Sequence, residues 1–155
     1  MHNSKIKKKI ITLIGPTACN KTSTAVHLIK KFPISIIGVD SVQIYKRFNI
    51  GSAKPPKEIL EKYKHHLVDS ADPENIFSVK DFYDQAYRIV IQAHSNNRIP
   101  LLVGGTMMYF NALFKGINDI PEGNEAIREE LQRELDNRGV DKLFNELKEI
   151  DPESA

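Results

Sequence analysis

Tryptophan is absent from the chain and cysteine occurs once, at Cys19. A lone cysteine excludes an intramolecular disulfide and a multi-cysteine zinc site; this fits a reducing compartment, and the cytoplasm is the expected location. An excess of one charge is also missing. With 22 Lys+Arg against 20 Asp+Glu the net charge is only +2, so any affinity for nucleic acid has to come from a local patch. No apolar run nears the roughly 18 to 20 residues that cross a bilayer, because Gly, Asp or Lys interrupts each candidate within a few positions. The Lys5 to Lys9 cluster has the basic start of a signal peptide, but the Ile10 to Ile14 run behind it is short and has no small-residue cleavage site. Residues 1–9 therefore read as a solvated lead-in. Internal repeats and low-complexity tracts are lacking too, which leaves one globular domain as the expectation for 155 residues that are 41% hydrophobic.

Three short apolar runs are bounded by turn signals: Ile10 to Ile14, Ile34 to Val39, and Leu101 to Val103 behind Pro100. Their length and β-branched content suit parallel strands buried on both faces. Between them lie helical spacings. Thr22 to Phe32 puts Ala25, Leu28, Ile29 and Phe32 on one side; Ser78 to His94 does so with Val79, Phe82, Ala86, Ile89, Val90 and Ala93. Ser78 followed by Asp81 predicts a capping box at the start of the second helix. Another helix is expected from Thr106 to Lys115, stopped by Gly116, then a loop from Ile117 to Gly123. Two amphipathic helices come next, Glu125 to Arg138 with Ile127, Leu131 and Leu135 inward, and Asp141 to Ile150 with Leu143, Leu147 and Ile150 inward. Strands alternating with helices predict an α/β fold with a parallel sheet over residues 10–116 and a loop with two helices over residues 117–155.

Behind the first strand stands Gly15-Pro-Thr-Ala-Cys-Asn-Lys-Thr22, the phosphate-loop pattern in every position except Asn20, where the pattern has glycine. In such a loop the backbone N–H groups of Gly15, Pro16, Thr17, Ala18, Cys19 and Asn20, proline excepted, and the start of the next helix surround an oligophosphate. Lys21 supplies a point charge and the Thr22 hydroxyl can hold Mg²⁺. Asparagine tolerates unusual backbone angles, so the loop can fold, but its side chain fills space that glycine leaves to the phosphate, and weakened binding is expected. Cys19 reads as a small loop filler, since no base or resolving cysteine accompanies it in sequence.

The phosphate loop alone suits kinases, GTPases and ATPases. Four further segments narrow the field: Val39-Asp-Ser-Val-Gln-Ile-Tyr45, Ile50-Gly-Ser-Ala-Lys-Pro55, His65-His-Leu-Val-Asp69 and Arg98-Ile-Pro-Leu-Leu-Val-Gly-Gly-Thr-Met-Met-Tyr109. With Gly-Pro-Thr-Ala in the loop, this series resembles the tRNA dimethylallyltransferase family from about Ile10 onward. The resemblance implies a P-loop NTPase-like, nucleotide-kinase-like fold whose loop binds the diphosphate of dimethylallyl diphosphate. It implies transfer of the dimethylallyl group to the N6 amine of an adenosine beside the tRNA anticodon, with Mg²⁺ as cofactor. By the same resemblance Asp40 is the general base, Thr106 sits at the diphosphate end of the channel, and Asp40, Ser41, Val42, Gln43, Thr106 and Arg128 contact the anticodon stem-loop. A monomer is expected. Family members run to roughly twice this length, so the chain is expected to be C-terminally truncated after Asp151-Pro-Glu153.

Other readings stand beside these. Asp40-Ser41 can cap the following segment, and Thr106 can cap a helix without losing a substrate role. His65 and His66, being adjacent before a strand, point to opposite sides and suggest structural residues more than a metal site. Tyr45, Lys46 and Arg47 suit either a nucleic-acid contact or a solvated loop. Met107 and Met108 are expected to mix core filling with contact to the prenyl channel, core being the stronger expectation. The rival functions are a small-molecule P-loop kinase that binds ATP, a prenyltransferase acting on free adenine nucleotides, and a fragment that binds diphosphate without turnover.

Overall fold

A computed structural model describes residues 9–117 and 123–155. The chain divides into two compact units, the first ending at Ile117 and the second spanning residues 118–155. The first unit is α/β. Its strands β1 (Ile11–Ile14), β2 (Ile34–Val39), β3 (His65–His66) and β4 (Ile99–Gly104) form one sheet in the order β1-β4-β2-β3, with every pairing parallel. Helices α1 (Lys21–Ile29), α2 (Lys57–Lys62), α3 (Val79–Ser95) and α4 (Met107–Lys115) complete it.

Strand β2 lies between two neighbours and is buried along its whole length, which explains its unbroken apolar run. The alternation of side chains divides its residues between two cores. Ile34 and Ile36, with Leu101 of β4, pack against Ala25 of α1. Ile37 and Val39, with Leu102, pack against Phe82, Ala86 and Val90 of α3 and Tyr109 and Phe110 of α4. Phe82 and Tyr109 stack with ring centroids 4.0 Å apart. The start of α3 carries the expected capping box: the Ser78 hydroxyl accepts from the Asp81 N–H, and an Asp81 carboxylate oxygen accepts from the Ser78 N–H at 2.9 Å.

Strand β4 is longer than its Leu101 to Val103 apolar run because Ile99 and Pro100 also pair with β2. Proline is tolerated there for a geometric reason. The Ile99 N–H points to the β2 side, donating to Pro33 O at 2.8 Å, so position 100 faces the β1 side, where pairing begins only at Ile11 with Leu101. Helix α1 ends at Ile29, and Phe32 lies past it, 51% exposed, correcting its expected inward place. Helix α2 had no counterpart among the elements expected from the sequence, and the strand expected just after the histidine pair is instead the pair itself, at the sheet edge.

In the second unit, Asn124 caps α5 (Glu125–Arg138), its side-chain oxygen accepting from Ala126 N at 2.9 Å. Helix α6 (Val140–Ile150) comes after Gly139, whose φ of 77° turns the chain where a β-carbon would be strained. Arg138 bonds Glu134 at 3.1 Å and lies 3.7 Å from Glu146 on α6. Neither helix has a buried residue. Leu135 and Leu143 are half-buried, whereas Ile127, Leu131, Leu147 and Ile150 are exposed and so do not face inward as the periodicity suggested. Two helices present too little facing surface to cover both apolar stripes. Part of the loop expected from Ile117 to Gly123 lies outside the described residues. No helix among the described residues is long and apolar enough to cross a membrane.

Candidate active site

Three neighbouring strands end at one level. Ile14 is paired with Gly104, and Gly104 with Val39, so the segments after β1, β4 and β2 leave the sheet side by side at its carboxyl edge, where open parallel sheets bind ligands. Close backbone approach holds this edge. Both Gly105 N and Thr106 N donate to Val39 O at 3.2 Å, and a β-carbon on Gly104 would fall 1.9 Å from that same oxygen. Glycine is therefore obligatory at 104.

A cavity of about 490 Å³ opens here. One wall is Thr17, Ala18, Cys19, Asn20, Lys21 and Thr22 of the phosphate loop; the facing wall is Asp40, Gln43, Ser52 and Ala53, with Gly104 among the residues lining the space. Asn20 has φ 62° and ψ 23°, the left-handed conformation that the motif's glycine adopts freely. Its carbonyl accepts from Thr24 N at 3.0 Å and Thr24 Oγ1 at 3.1 Å, starting α1, while its side chain makes no capping bond and the residue is among those lining the cavity. The Lys21 ammonium folds back over the loop, donating to Gly15 O at 2.8 Å and Pro16 O at 2.6 Å. The exposed Cys19 thiol stands 3.6 Å from the same ammonium and backs on Gly15, where an added β-carbon would lie 2.7 Å from the sulfur.

Across the cavity, one Asp40 carboxylate oxygen accepts from Val42 N at 2.9 Å and Gln43 N at 3.1 Å. Asp40 thus caps its own turn, which orients the carboxylate and leaves its second oxygen without a hydrogen-bond partner among the described residues. Gln43 spends its side-chain amide on Ser52 O at 3.1 Å and Ala53 O at 3.0 Å. Thr106 occupies the cap position of α4 without capping it. Its oxygen instead accepts from Ser41 N at 3.0 Å, fastening the exit of β4 to the Asp40 turn. Burial raises the Tyr109 phenol above its ordinary value, with smaller contributions from Tyr45, Asp40 and Asp81, so it keeps its proton.

The structure therefore brings together most of the residues singled out from the sequence. Gly15, Pro16, Ser41, Val42 and Thr106 are not among the lining residues but adjoin them in the chain, except that Thr106 reaches the Asp40 turn through Ser41, while Arg128 stands on α5 in the second unit. Met107 and Met108 are 52% and 57% exposed, not core, because α4 turns Tyr109, Phe110 and Ala112 to the sheet. Ser23, Val26, Ser52, Ala53, Ile59 and Val103 were missed as lining residues; the Ile50 to Pro55 motif was the one signal for Ser52 and Ala53.

Magnesium requires few protein ligands when substrate phosphates and waters fill its octahedron. Among the described residues no three His, Cys, Asp or Glu side chains cluster for a metal, whereas the Thr22 hydroxyl at the phosphate wall suits that sparse mode of binding.

Known proteins share these features. The family described as IPP transferase matches residues 43–155. A tRNA dimethylallyltransferase of Dichelobacter nodosus is 44% identical over 94% of the chain and 46% of its own length. The chain spans about half the length of the curated relatives it matches. A solved tRNA isopentenylpyrophosphate transferase from Bacillus halodurans superposes with TM-score 0.69 at 39% identity, over 96% of this chain and 49% of that one. A eukaryotic dimethylallyltransferase acting on tRNA superposes with TM-score 0.77 at 27% identity, over 94% and 36% respectively. The chain shares its P-loop NTPase-like sheet with flanking helices with these two solved structures. On sequence and fold alike, the chain belongs to the IPP transferase family.

Proposed function

We propose that this chain carries the donor-binding and proton-accepting part of a tRNA dimethylallyltransferase. The observation that carries the reading is one cavity lined by both the phosphate loop and an oriented carboxylate. The loop amides, Lys21 and Thr22 hold the diphosphate of dimethylallyl diphosphate. Thr22 is the residue that would hold magnesium, which when bound would supply positive charge against the diphosphate. An exocyclic adenine amine is a weak nucleophile. As its nitrogen bonds to the first prenyl carbon, the carbon–oxygen bond to diphosphate breaks and the amine proton passes to Asp40. Donors already aimed at the loop stabilise the departing diphosphate. Asp40, Ser41, Val42, Gln43 and Thr106 frame the acceptor side for the anticodon stem-loop, and Arg128 adds a contact from the second unit.

Transfer of labelled dimethylallyl from its diphosphate to an anticodon stem-loop tests this directly, with AMP and free adenosine as competing acceptors. Asp40→Asn is expected to slow transfer by about 10²- to 10⁴-fold while donor affinity changes little, because holding phosphate and accepting the proton fall to different walls. Undiminished turnover removes Asp40 from the mechanism, and phosphoryl transfer from ATP in place of prenyl transfer would favour a kinase.

A further inference from the structure

The acceptor wall is not part of the sheet, so something else has to hold it. Segment 43–46 runs beside 69–71: Asp69 N donates to Gln43 O at 3.1 Å, Ser70 N to Ile44 O at 2.8 Å, and Lys46 N to Ala71 O at 2.9 Å. From there the chain makes an exposed excursion through Phe48 and Ile50 and returns with Ser52 and Ala53 against the cavity. The returning strap has no strand pairing of its own. Its attachments are the Gln43 amide on Ser52 O and Ala53 O, the Ser52 hydroxyl on Phe48 O at 2.6 Å, and Lys54.

Lys54 is the exceptional member. Its side chain is 4% exposed, and its ammonium donates to Asp69 Oδ1 at 2.6 Å, Tyr45 O at 2.9 Å and Asn49 Oδ1 at 3.3 Å. Three donors meet three acceptors from three segments, which satisfies an ammonium fully. Burying a lysine is costly, and a buried pair is weak evidence for stability in itself. What this geometry does provide is register, since the acceptors lie in fixed directions and the strap cannot slide without unpairing a buried charge.

We propose that Lys54 is a positioning residue for the transfer reaction: locked to Asp69, it sets the Gln43, Ser52 and Ala53 wall against the phosphate loop and fixes the width available to the acceptor base. The acceptor role rests on the prenyl-transfer reading above; the pin itself does not. Lys54→Met, Asp69→Asn and the double variant of the whole chain test both parts. Lys54→Met should speed amide hydrogen exchange over residues 43–53 by about tenfold or more while amides of β2 and β4 keep their protection. The Gln43 side-chain amide signals in a ¹H–¹⁵N spectrum should move toward the free-amide position. Affinity for an anticodon stem-loop RNA should fall by about tenfold and that for inorganic diphosphate should stay within about twofold, and the double variant should lose little more than Lys54→Met alone. An unmoved Gln43 signal with unchanged exchange overturns the pin, as does exchange that rises equally throughout the sheet, which would mark a stability effect only. Independent, additive losses overturn the pairing with Asp69. If the unsubstituted chain binds neither ligand while the strap still responds to Lys54→Met, the pin stands and the prenyl-transfer role falls.

Discussion

Replacing Asn20 by glycine separates what the phosphate loop needs to fold from what it needs to bind. Asn20 sits at φ 62° and ψ 23°, a conformation that costs an ordinary L-residue about 1 to 2 kcal/mol and asparagine less. Glycine removes that strain but adds about 0.5 to 1 kcal/mol of unfolded-state entropy. The two nearly cancel, and no capping bond is lost because the asparagine side chain makes none, so the urea midpoint should barely move. Binding should respond much more. Asn20 lines the cavity, and on the crowding argument removal of its side chain lets one more loop N–H reach a phosphate oxygen, a charge-assisted bond worth about 1.5 to 3 kcal/mol. Asn20→Gly should therefore tighten inorganic diphosphate by about 10- to 100-fold in titration calorimetry with Mg²⁺ present. Equal or weaker binding at unchanged stability would refute the crowding argument and show a loop adapted to asparagine.

Lys21→Ala should weaken diphosphate by about tenfold or more, the loss of one charge-assisted contact, and calorimetry that finds no change would take the ammonium out of the site. Gly104→Ala should abolish cooperative unfolding or cost several degrees of melting temperature, because its β-carbon would collide with Val39 O at 1.9 Å; a fully stable variant would contradict the close packing of β4 on β2. Burial, aided at His66 by the charges of Lys64, Arg98 and His65, holds both edge-strand histidines below their ordinary value of 6.5. The unfolded chain then binds the extra protons, so the stability these groups contribute is present above 6.5 and is lost as pH falls through their folded values. A melting temperature that declines with acidification well before the carboxylate range, and declines less in His65→Gln, is the expected result; a flat profile would refute it.

The elements legible in the sequence were those whose signals are local. The run from Ile34 to Val39 is buried on both faces and coincides with β2, Ser78 and Asp81 are three residues apart and close the capping box, and the α5 boundaries are set by Asn124 and Gly139. Elements that depend on distant partners were not legible. Strand β3 is two residues long and exists because Ile36 and Ile37 accept it at the sheet edge. The cavity lining at Ser52 and Ala53 depends on Gln43 and Lys54 reaching across the strap, and Thr106 contacts Ser41 from 65 positions away. Periodicity reports which face of an element is apolar, not whether a partner covers it. The exposed Ile127, Leu131 and Leu147 stripes show that difference.

On the proposed prenyl-transfer reading, the sheet register lets one site hold a dianion and a carboxylate without setting them against each other. Ile14, Gly104 and Val39 are consecutive partners across β1, β4 and β2. The phosphate loop and the Asp40 turn therefore start two strand spacings apart, about 9 to 10 Å. Opposed at contact distance, the two negative groups would repel, and the carboxylate would not remain available as a base beside bound diphosphate. On that same reading, two spacings are the room that a five-carbon chain and the edge of a purine would share. The intervening strand keeps that room clear because it ends in Gly104 and is followed by Gly105, where a β-carbon would already press on Gly15 O at 3.1 Å. In this reading the glycine pair is the spacer of the reaction, β1 delivers the leaving-group site, and β2 delivers the base; a side chain at Gly105 should therefore reduce transfer while leaving the carboxylate and Lys21 in place.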